Sequence, residues 1–309
     1  MAGATLDAPL VAPTSSPVAQ AWRRYRAGVL FVLPDLVLYL LFMVYPFFQS
    51  IYFSLTSWNG VTAVKEWVGL ANYRELIRDG LFWLSLKNTI IWVIVGTIAP
   101  IVVGMLLALL LWSRPKGFTL FRTVYFMPQV LSTVVIGIVW SWIYNPIFGI
   151  LNESLDAVGL EDLSRGWLGD PDVALYAVLV AAIWATIGFV FVILLAGLQN
   201  VSKDLLEAAT IDGANVWQRF WNVTVPQLAG VINVVIAFLL IGGFSVFDIV
   251  FVMTGGGPAN ATDVLATFTY KEAFTQNNVG YASAIAVVIT VISLIASVTF
   301  IRLRERQEA

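Results

Sequence analysis

Cysteine and histidine are both absent from the 309 residues of this chain. Their absence excludes a disulfide framework, a Cys/His metal cluster and an imidazole general base. Charge is also scarce, because only 12% of the residues are charged whereas 59% are hydrophobic. A soluble domain carries about twice that share of charged residues. The chain therefore has more apolar surface than a soluble core of this length can bury, and we expect lipid to cover the remainder.

Six apolar runs are long enough to cross a bilayer, which takes roughly 20 residues each. We predict an all-α integral membrane protein with six transmembrane helices in one domain, residues 28–302. A disordered cytoplasmic tail is predicted at 1–27, where Ala, Pro, Ser and Thr predominate, and a short cytoplasmic tail at 303–309. The spans are predicted at residues 29–53, 86–112, 121–144, 173–198, 227–253 and 281–301.

The distribution of lysine and arginine predicts the orientation of these spans. With the N-terminus in the cytoplasm, eleven of the 17 Lys and Arg residues lie on the inner side. The reversed topology would invert that bias, against the positive-inside rule. We therefore expect both termini to be cytoplasmic, in a multi-pass protein of the cell (inner) membrane.

A polar segment with helix-forming residues, 199–225, separates the fourth and fifth predicted spans. Ser202 can cap a helix over residues 203–212, and Gly213 permits the left-handed conformation that ends a helix. Asn215, three residues before a glutamine, can cap a second helix in a capping box. We predict two short helices joined at a glycine on the cytoplasmic side, and we call this segment the elbow.

The side chains of the elbow suit contact with another protein. Ala208 and Ala209 are small enough to let a partner's backbone come close. Glu207 and Asp212 offer carboxylates to arginines, and bidentate pairs of this kind add geometric precision. The alternative is a surface helix pair that only joins two spans, and the residue chemistry by itself leaves both readings open.

The elbow resembles the EAA loop of ABC importer permeases, whose pattern is Glu-Ala-Ala, then Gly, then Pro at the next span. The matching residues are Glu207, Ala208, Ala209, Asp212, Gly213, Ala214 and Pro226. The resemblance implies the type I importer permease fold, with the elbow as coupling helices in a cleft of an ATP-binding subunit. It also implies two such subunits, a second homologous permease, an extracytoplasmic solute-binding protein and surrounding membrane lipid as partners, and no nucleic acid.

A second group of residues resembles the carbohydrate-uptake permeases of the maltose and glycerol-3-phosphate type. The resemblance implies import of a sugar or oligosaccharide by alternating access, driven by ATP hydrolysis in the partner. Glycerol-3-phosphate or a glycerophosphodiester is the alternative solute, although no Lys or Arg lies deep within the third to fifth spans. The matching residues are Tyr125 to Pro128, Trp140, Asn145, Pro146, Gly149, Asn152, Phe247 to Ile249, Thr254 to Pro258, Thr262 and Tyr270 to Phe274.

The sequence offers no catalytic or nucleotide-binding motif. Gly255-Gly256-Gly257 is not followed by the Lys-Ser/Thr that a phosphate-binding P-loop requires, and we predict a turn there. We expect no catalytic residue, no metal site and no cofactor in this chain, with ATP and magnesium bound by the partner. An ion-coupled secondary transporter remains an alternative, but it would show inverted repeats, broken helices and midplane carboxylates.

Polar residues inside spans are costly and usually face a protein interior or a water-filled path. Sugars are held by hydrogen bonds and by aromatic faces. Each candidate could instead serve helix packing, for which Ser, Thr and Gly are commonly used. The candidate pathway residues are Gln129, Ser132 and Thr133 on the third span, Trp184, Thr186 and Phe189 on the fourth, and Gly243, Ser245 and Asp248 on the fifth.

Overall fold

The computed structural model describes residues 17–308, with side chains from residue 28 to residue 304. By their contacts the residues up to Ser50 form one unit and those from Ile51 onward form another. The first unit contains α1 (Pro17–Tyr39), a π-helical turn (Leu40–Val44) and most of α2 (Tyr45–Phe53). Helix α1 thus begins inside the segment 1–27 that was assigned to the tail, and residues 1–16 lie outside the described part of the chain.

The second unit is helical apart from one short antiparallel pair of strands, β1 (Thr56–Ser57) and β2 (Glu66–Trp67). Three further helical turns are of the π or 3-10 type: Glu161–Leu163, Phe220–Thr224 and Lys271–Thr275. The α-helices are α3 (Ala71–Arg78), α4 (Gly80–Trp112), α5 (Phe118–Val130), α6 (Thr133–Ile143), α7 (Ile150–Ala157), α8 (Ala174–Leu198), α9 (Lys203–Ile211), α10 (Val216–Arg219), α11 (Val225–Gln227), α12 (Ala229–Phe244), α13 (Asp248–Thr254), α14 (Leu265–Tyr270) and α15 (Val279–Glu308).

Four helical segments in the described residues are long and apolar enough to cross a membrane: Gly28–Phe53, Gly80–Trp112, Ala174–Leu198 and Val279–Arg304. Two bent helix pairs raise the number to six when each pair is counted as one span. In the first pair α5 and α6 meet at 101°, and in the second the helical segment Val216–Gln227 meets α12 at 70°. The described residues therefore hold four to six candidate spans, and the second bent pair starts at Val216, within the elbow, whereas the fifth span is predicted to start at residue 227.

The predicted third and fifth spans are interrupted, contrary to a reading of each as one continuous helix. In the third, Leu131 and Ser132 adopt extended backbone with ψ of 144° and 140°. Pro128 has no N–H to donate in the last turn of α5, and serine is a favoured residue at a helix start. In the fifth, residues 245–247 separate α12 from the short helix α13.

Close helix crossings at glycines bring the spans together. Gly104 of α4 lies against Val190 of α8, where a Cβ on the glycine would meet the valine side chain at 3.0 Å. Gly188 of α8 lies against the backbone of Tyr125 and Phe126 in α5. Small residues at such points let helix backbones approach closely, which is how helices associate in lipid. Helix α8 is therefore the central element, packed on α4 and α5.

Candidate functional site: a central cavity and the elbow

A cavity of about 310 Å³ lies among α4, α5, α6, α8, α12 and α13. We call it the central cavity. Its volume lies at the lower end of the range for small-molecule sites, roughly 300–1,000 Å³. Four of the nine predicted pathway residues line it: Gln129, Thr133, Thr186 and Gly243. The structure thus brings together residues from the third, fourth and fifth predicted spans.

Both interrupted spans break at the central cavity. Leu131 and Thr133 line it from the break between α5 and α6, and Val246 and Ile249 line it from the break between α12 and α13. The first intrahelical hydrogen bond of α6 runs from the Ile136 N–H to the Ser132 carbonyl at 3.0 Å. The N–H groups of the three residues before Ile136 therefore have no partner within the helix. In membrane proteins, irregular backbone is tolerated where it lines a cavity. The two breaks therefore add backbone polar groups to the cavity wall.

Side-chain polarity in the central cavity comes from three neutral groups, the Gln129 amide and the Thr133 and Thr186 hydroxyls. The Thr186 hydroxyl donates to the Ala182 carbonyl at 2.8 Å, which leaves its oxygen free to accept from a solute. Trp92 and Phe238 add aromatic surface, and no charged side chain is among the lining residues.

Sequence reasoning missed the contribution of α4, which lines the cavity with Trp92 and Gly96. The predicted pathway residues lie on the third to fifth spans, and none of them lies on the second span, which α4 contains. A tryptophan deep within an aliphatic run was the available signal, because its ring N–H is costly to bury without a purpose. Trp92 is 5% exposed and packs in a buried cluster with Val178 and Ile249.

Five predicted pathway residues lie outside the lining of the central cavity. Ser132 and Ser245 are exposed at the two helix breaks, and Asp248 is exposed at the first position of α13. Trp184 and Phe189 face other rings, at centroid distances of 5.7 Å to Trp140 and 4.8 Å to Phe238 respectively. Their role in lining a solute path stays a prediction. The five are Ser132, Trp184, Phe189, Ser245 and Asp248.

A buried ion pair holds the loop that follows α13. The Lys271 Nζ lies 2.6 Å from an oxygen of Asp263, which is 1% exposed, and the Thr267 hydroxyl donates to the other oxygen at 2.9 Å. Burial raises the pKa of the Asp263 carboxyl, and the hydrogen bonds and charge of Lys271 offset only part of that rise. The Asn88 amide on α4 donates to the Ala261 and Asp263 carbonyls at 2.9 Å each, which ties the loop to the second span.

The glycine run at the start of that loop forms a turn, as predicted. Gly255 and Gly256 have φ of 57° and 88°, the left-handed region that favours glycine. A side chain at Gly256 would overlap the Asp263 carboxylate and the Lys271 ammonium. The run therefore serves close packing over the ion pair.

The elbow folds as its local sequence predicts. The Ser202 hydroxyl accepts from the Leu205 N–H at 3.4 Å at the start of α9, and Gly213 has φ of 81° after its end. Asn215 and Gln218 exchange hydrogen bonds of 2.8 and 2.9 Å in a capping box that opens α10. These contacts set the shape of the elbow from residues close in sequence.

Longer contacts tie the elbow to itself and to the spans. The Arg219 guanidinium donates to the Thr210 hydroxyl at 2.5 Å across the glycine, and the Ser202 N–H donates to the Gln227 side chain at 2.9 Å. Leu206 and Phe220 pack against a buried cluster built from α4, α8 and α12. The elbow is therefore in packed contact with the spans through these two side chains.

The motif residues of the elbow are open to a partner. Ala209 and Ala214 are partly buried, whereas the remaining four are exposed. No group of three or more His, Cys, Asp or Glu residues that could hold a metal ion occurs within the described part of the chain. The six motif residues are Glu207, Ala208, Ala209, Asp212, Gly213 and Ala214.

Comparisons with known proteins cover nearly the whole chain. Residues 100–304 match the model of a family described as "Binding-protein-dependent transport system inner membrane component". The probable ABC transporter permease protein YurN of Bacillus subtilis is 39% identical over 87% of this chain and 92% of its own length. The multiple sugar-binding transport system permease protein MsmF of Streptococcus mutans is 34% identical over 91% and 96%.

The fold also occurs in solved structures. Among them is a crystal structure of a bacterial alginate ABC transporter in complex with an alginate pentasaccharide-bound periplasmic protein. A chain in it matches with a TM-score of 0.82 and 20% sequence identity, over 94% of this chain and 98% of that one. At this level of identity the match shows that the two chains share a fold.

Proposed function

This chain belongs to the family of binding-protein-dependent transport system inner membrane components, and from that premise we propose that it forms half of the membrane path of a sugar importer. The chain is a multi-pass membrane protein and a transport permease. The proposal places it in the inner membrane with both termini in the cytoplasm, in accord with its Lys and Arg distribution. It assigns no catalytic step to this chain.

The observation that carries the solute class is the neutral chemistry of the central cavity. Its polar side chains are an amide and two hydroxyls, and its aromatic surface comes from Trp92 and Phe238. Such a lining suits a sugar, which presents hydroxyls at its edge and C–H groups on its faces. The name of MsmF, a multiple sugar-binding transport system permease protein, points to the same solute class. Glycerol-3-phosphate fits less well, because no cationic side chain lines the cavity.

The proposed partners follow from the exposed motif of the elbow and from the geometry of the path. Two ATP-binding subunits would supply all nucleotide and magnesium chemistry, with Glu207 and Asp212 facing one of them. A second, homologous permease would close the path, and Asp248 would then face it at the outer side. A solute-binding protein outside the membrane would deliver the sugar. Neighbouring structures of ABC transporters with a periplasmic protein support this general composition.

The proposed mechanism is alternating access between two states of the path. Closure of the ATP-binding pair moves the elbow, and the packed contacts of Leu206 and Phe220 carry that movement to α4, α8 and α12. The helices on either side of the two breaks lie at the central cavity, where a change of angle alters access. Binding and release of the solute then require no chemistry in this chain.

Broken helices alone do not favour an ion-coupled secondary transporter. Broken helices are one of the features expected of such a transporter, and this chain has two of them. Ion coupling also needs carboxylates at the site, and the central cavity has none among its lining residues. We therefore retain the ATP-driven importer as the proposal.

The decisive experiment is uptake into proteoliposomes containing the assembly purified with its co-assembling subunits and solute-binding protein. Radiolabelled neutral mono- and disaccharides are compared with labelled glycerol-3-phosphate. We expect uptake of a neutral sugar that requires ATP and persists when ionophores collapse ion gradients. Uptake that persists without ATP but stops with the gradient would establish the secondary transporter instead.

A cavity variant tests the site within the same assay. Combining Gln129→Leu with Thr186→Val removes two hydrogen-bonding groups, each worth about 1 kcal/mol, so the KM for sugar should rise roughly tenfold or more. Thr123→Val is the matched control, because Thr123 lies on α5 outside the central cavity. Equal KM values for all three proteins would remove the cavity from the path.

A further inference from the structure

A second concavity, the inner groove, lies between the end of α4 and the elbow. It is larger than the central cavity, at about 990 Å³, and shares no lining residue with it. One wall is formed by α4 from Ile101 to Trp112, and the other by the segment from Val216 to Val225 together with Leu206 and Ile232. The groove therefore lies beside the elbow and apart from the proposed sugar path.

The lining of the inner groove is apolar, with one cation. Arg219 is the single charged side chain among its lining residues, and Thr224 is the one side chain there that ends in a hydroxyl. Leu106 and Trp217 are 57% and 68% exposed, although large apolar side chains are usually covered by something. A molecule that fits this groove has a long apolar part against the lining and a negative charge that reaches Arg219.

Arg219 has capacity left for an anion. Its guanidinium carries five N–H donors, and the bond to Thr210 uses one of them. No ion pair between Arg219 and a carboxylate is present among the described residues. Arg114 and Lys116 follow within four residues of Trp112, the last residue of the α4 wall. Two further cationic residues thus lie close in sequence to the end of the α4 wall, although Arg219 is the one that lines the groove.

The groove also lies at the right depth for a lipid headgroup. The Lys and Arg distribution places this end of α4 at the cytoplasmic face, where anionic lipids concentrate. Trp112, Trp217 and Trp221 line the groove, and the last two stack at 6.3 Å with an interplanar angle of 10°. Tryptophan rings favour the headgroup level of a bilayer.

We propose that the inner groove binds an anionic phospholipid, with an acyl chain along α4 and the phosphate at Arg219. The complementarity is of two kinds: the acyl chain packs against the apolar α4 wall, and the negative phosphate lies against the Arg219 guanidinium. The lipid contacts the second span and the elbow at the same time, so it stabilises their relative position. This binding does not depend on the identity of the transported solute.

The test is native mass spectrometry of the full chain in its purified assembly, after exchange into equal amounts of palmitoyl-oleoyl phosphatidylglycerol and phosphatidylcholine. We expect retained phosphatidylglycerol to exceed phosphatidylcholine severalfold. Leu106→Trp fills the groove and should reduce retention at least fivefold. Leu110→Trp is its control, since Leu110 is exposed on the same helix but does not line the groove. Equal retention in the two variants overturns the proposal.

Headgroup selectivity is tested separately. Arg219→Gln should retain lipid but lose the preference for phosphatidylglycerol. Thr210→Val breaks the same hydrogen bond while it leaves the charge, so the preference should remain. If Thr210→Val loses the preference as well, the elbow's shape rather than the Arg219 charge selects the lipid, and the phosphate assignment is wrong.

The absence of native cysteine allows a direct test of the occupant. A single Cys introduced as Val102→Cys should react with a maleimide when the groove is free of lipid. Phosphatidylglycerol should slow this labelling severalfold. A disulfide-length crosslink from this position to a cysteine scan of a second protein chain would show that protein occupies the groove. That result would overturn the lipid proposal and leave the sugar path untouched.

Discussion

The Arg219 guanidinium donates a hydrogen bond of 2.5 Å to the Thr210 hydroxyl across the turn at Gly213. The two residues belong to different short helices, and their bond fixes the angle between α9 and α10. The Thr210 hydroxyl also donates to the Leu206 carbonyl at 2.7 Å. Thr210 therefore links Arg219 to α9, the helix whose Leu206 packs on the buried cluster. The hydrogen bonds of Thr210 therefore hold the two helices of the elbow in one arrangement.

Thr210→Val should remove the hydrogen bond between the two helices of the elbow. We expect ATP hydrolysis to continue while the amount of sugar imported per ATP falls about two- to fivefold, because losing a hydrogen bond worth about 1 kcal/mol lets the angle between α9 and α10 vary. Thr123→Val is matched, since Thr123 makes the same bond to the carbonyl four residues back, at 2.9 Å. An unchanged ratio of import to hydrolysis, measured in proteoliposomes, would show that this hydrogen bond does not serve coupling.

Glu207→Lys should abolish ATP-driven uptake while the chain remains in the membrane. Glu207 is exposed on α9 and would lose its attraction for a cationic partner surface and acquire repulsion instead. Uptake and co-purification of the ATP-binding subunits should both fall more than tenfold. Glu153→Lys, exposed on the predicted outer side, should change neither. Normal uptake with Glu207→Lys would count heavily against the docking role.

Lys271→Met should destabilise the chain in a pH-dependent manner. It leaves the buried Asp263 carboxylate without its cation, at a cost of about 1–3 kcal/mol at neutral pH. Burial already raises the pKa of Asp263, and removal of Lys271 takes away the two largest contributions that lower it. A carboxyl with a raised folded pKa binds its proton more tightly when folded, so stability falls as pH rises through that pKa.

The deficit of Lys271→Met should therefore shrink as the pH is lowered through the raised pKa of Asp263, because protonation neutralises the carboxyl. Thermal unfolding of the detergent-solubilised protein at several pH values measures this. The double variant with Asp263→Asn removes the orphaned charge and should recover much of the lost stability at pH 8. A deficit independent of pH would refute the assignment to the ion pair.

Gly188→Ala should destabilise the crossing of α8 and α5. The new methyl group would overlap the Tyr125 carbonyl and approach the Phe126 Cα at 2.9 Å. Backbone cannot move aside as a flexible side chain can, and overpacking of this kind costs typically 1–3 kcal/mol. Gly230→Ala is the control, because nothing lies within 4 Å of a Cβ there. Equal unfolding temperatures for the two variants would contradict the close crossing.

Much of the elbow was predictable because its determinants are local. Ser202 and Asn215 each cap a helix through a hydrogen bond to the residue three positions on, and Gly213 ends a helix by its own backbone freedom. The bonds from Arg219 to Thr210 and from Ser202 to Gln227 were not predicted. They join residues 9 and 25 positions apart, and their formation depends on how the helices pack.

The central cavity was predictable only in part. Polar residues within apolar runs identified Gln129, Thr133 and Thr186, since burial of such groups is costly in lipid. Trp92 was missed, and Asp248 proved to lie exposed at the start of α13 instead of in the lining. Hydropathy averages over whole runs, so it could not show that two of them break and that both breaks meet.

By itself the sequence determined that this chain is a multi-pass membrane protein and how the elbow turns, and it predicts six crossings with the elbow in the cytoplasm. These properties follow from apolar length, from the sidedness of charge and from caps that act within a few residues. Tertiary structure alone decided which breaks face one another, that Asn88 holds the loop around Asp263, and that α4 forms walls of two separate concavities. The physical reason is that such contacts join residues remote in sequence, and only the packing of helices brings them within reach.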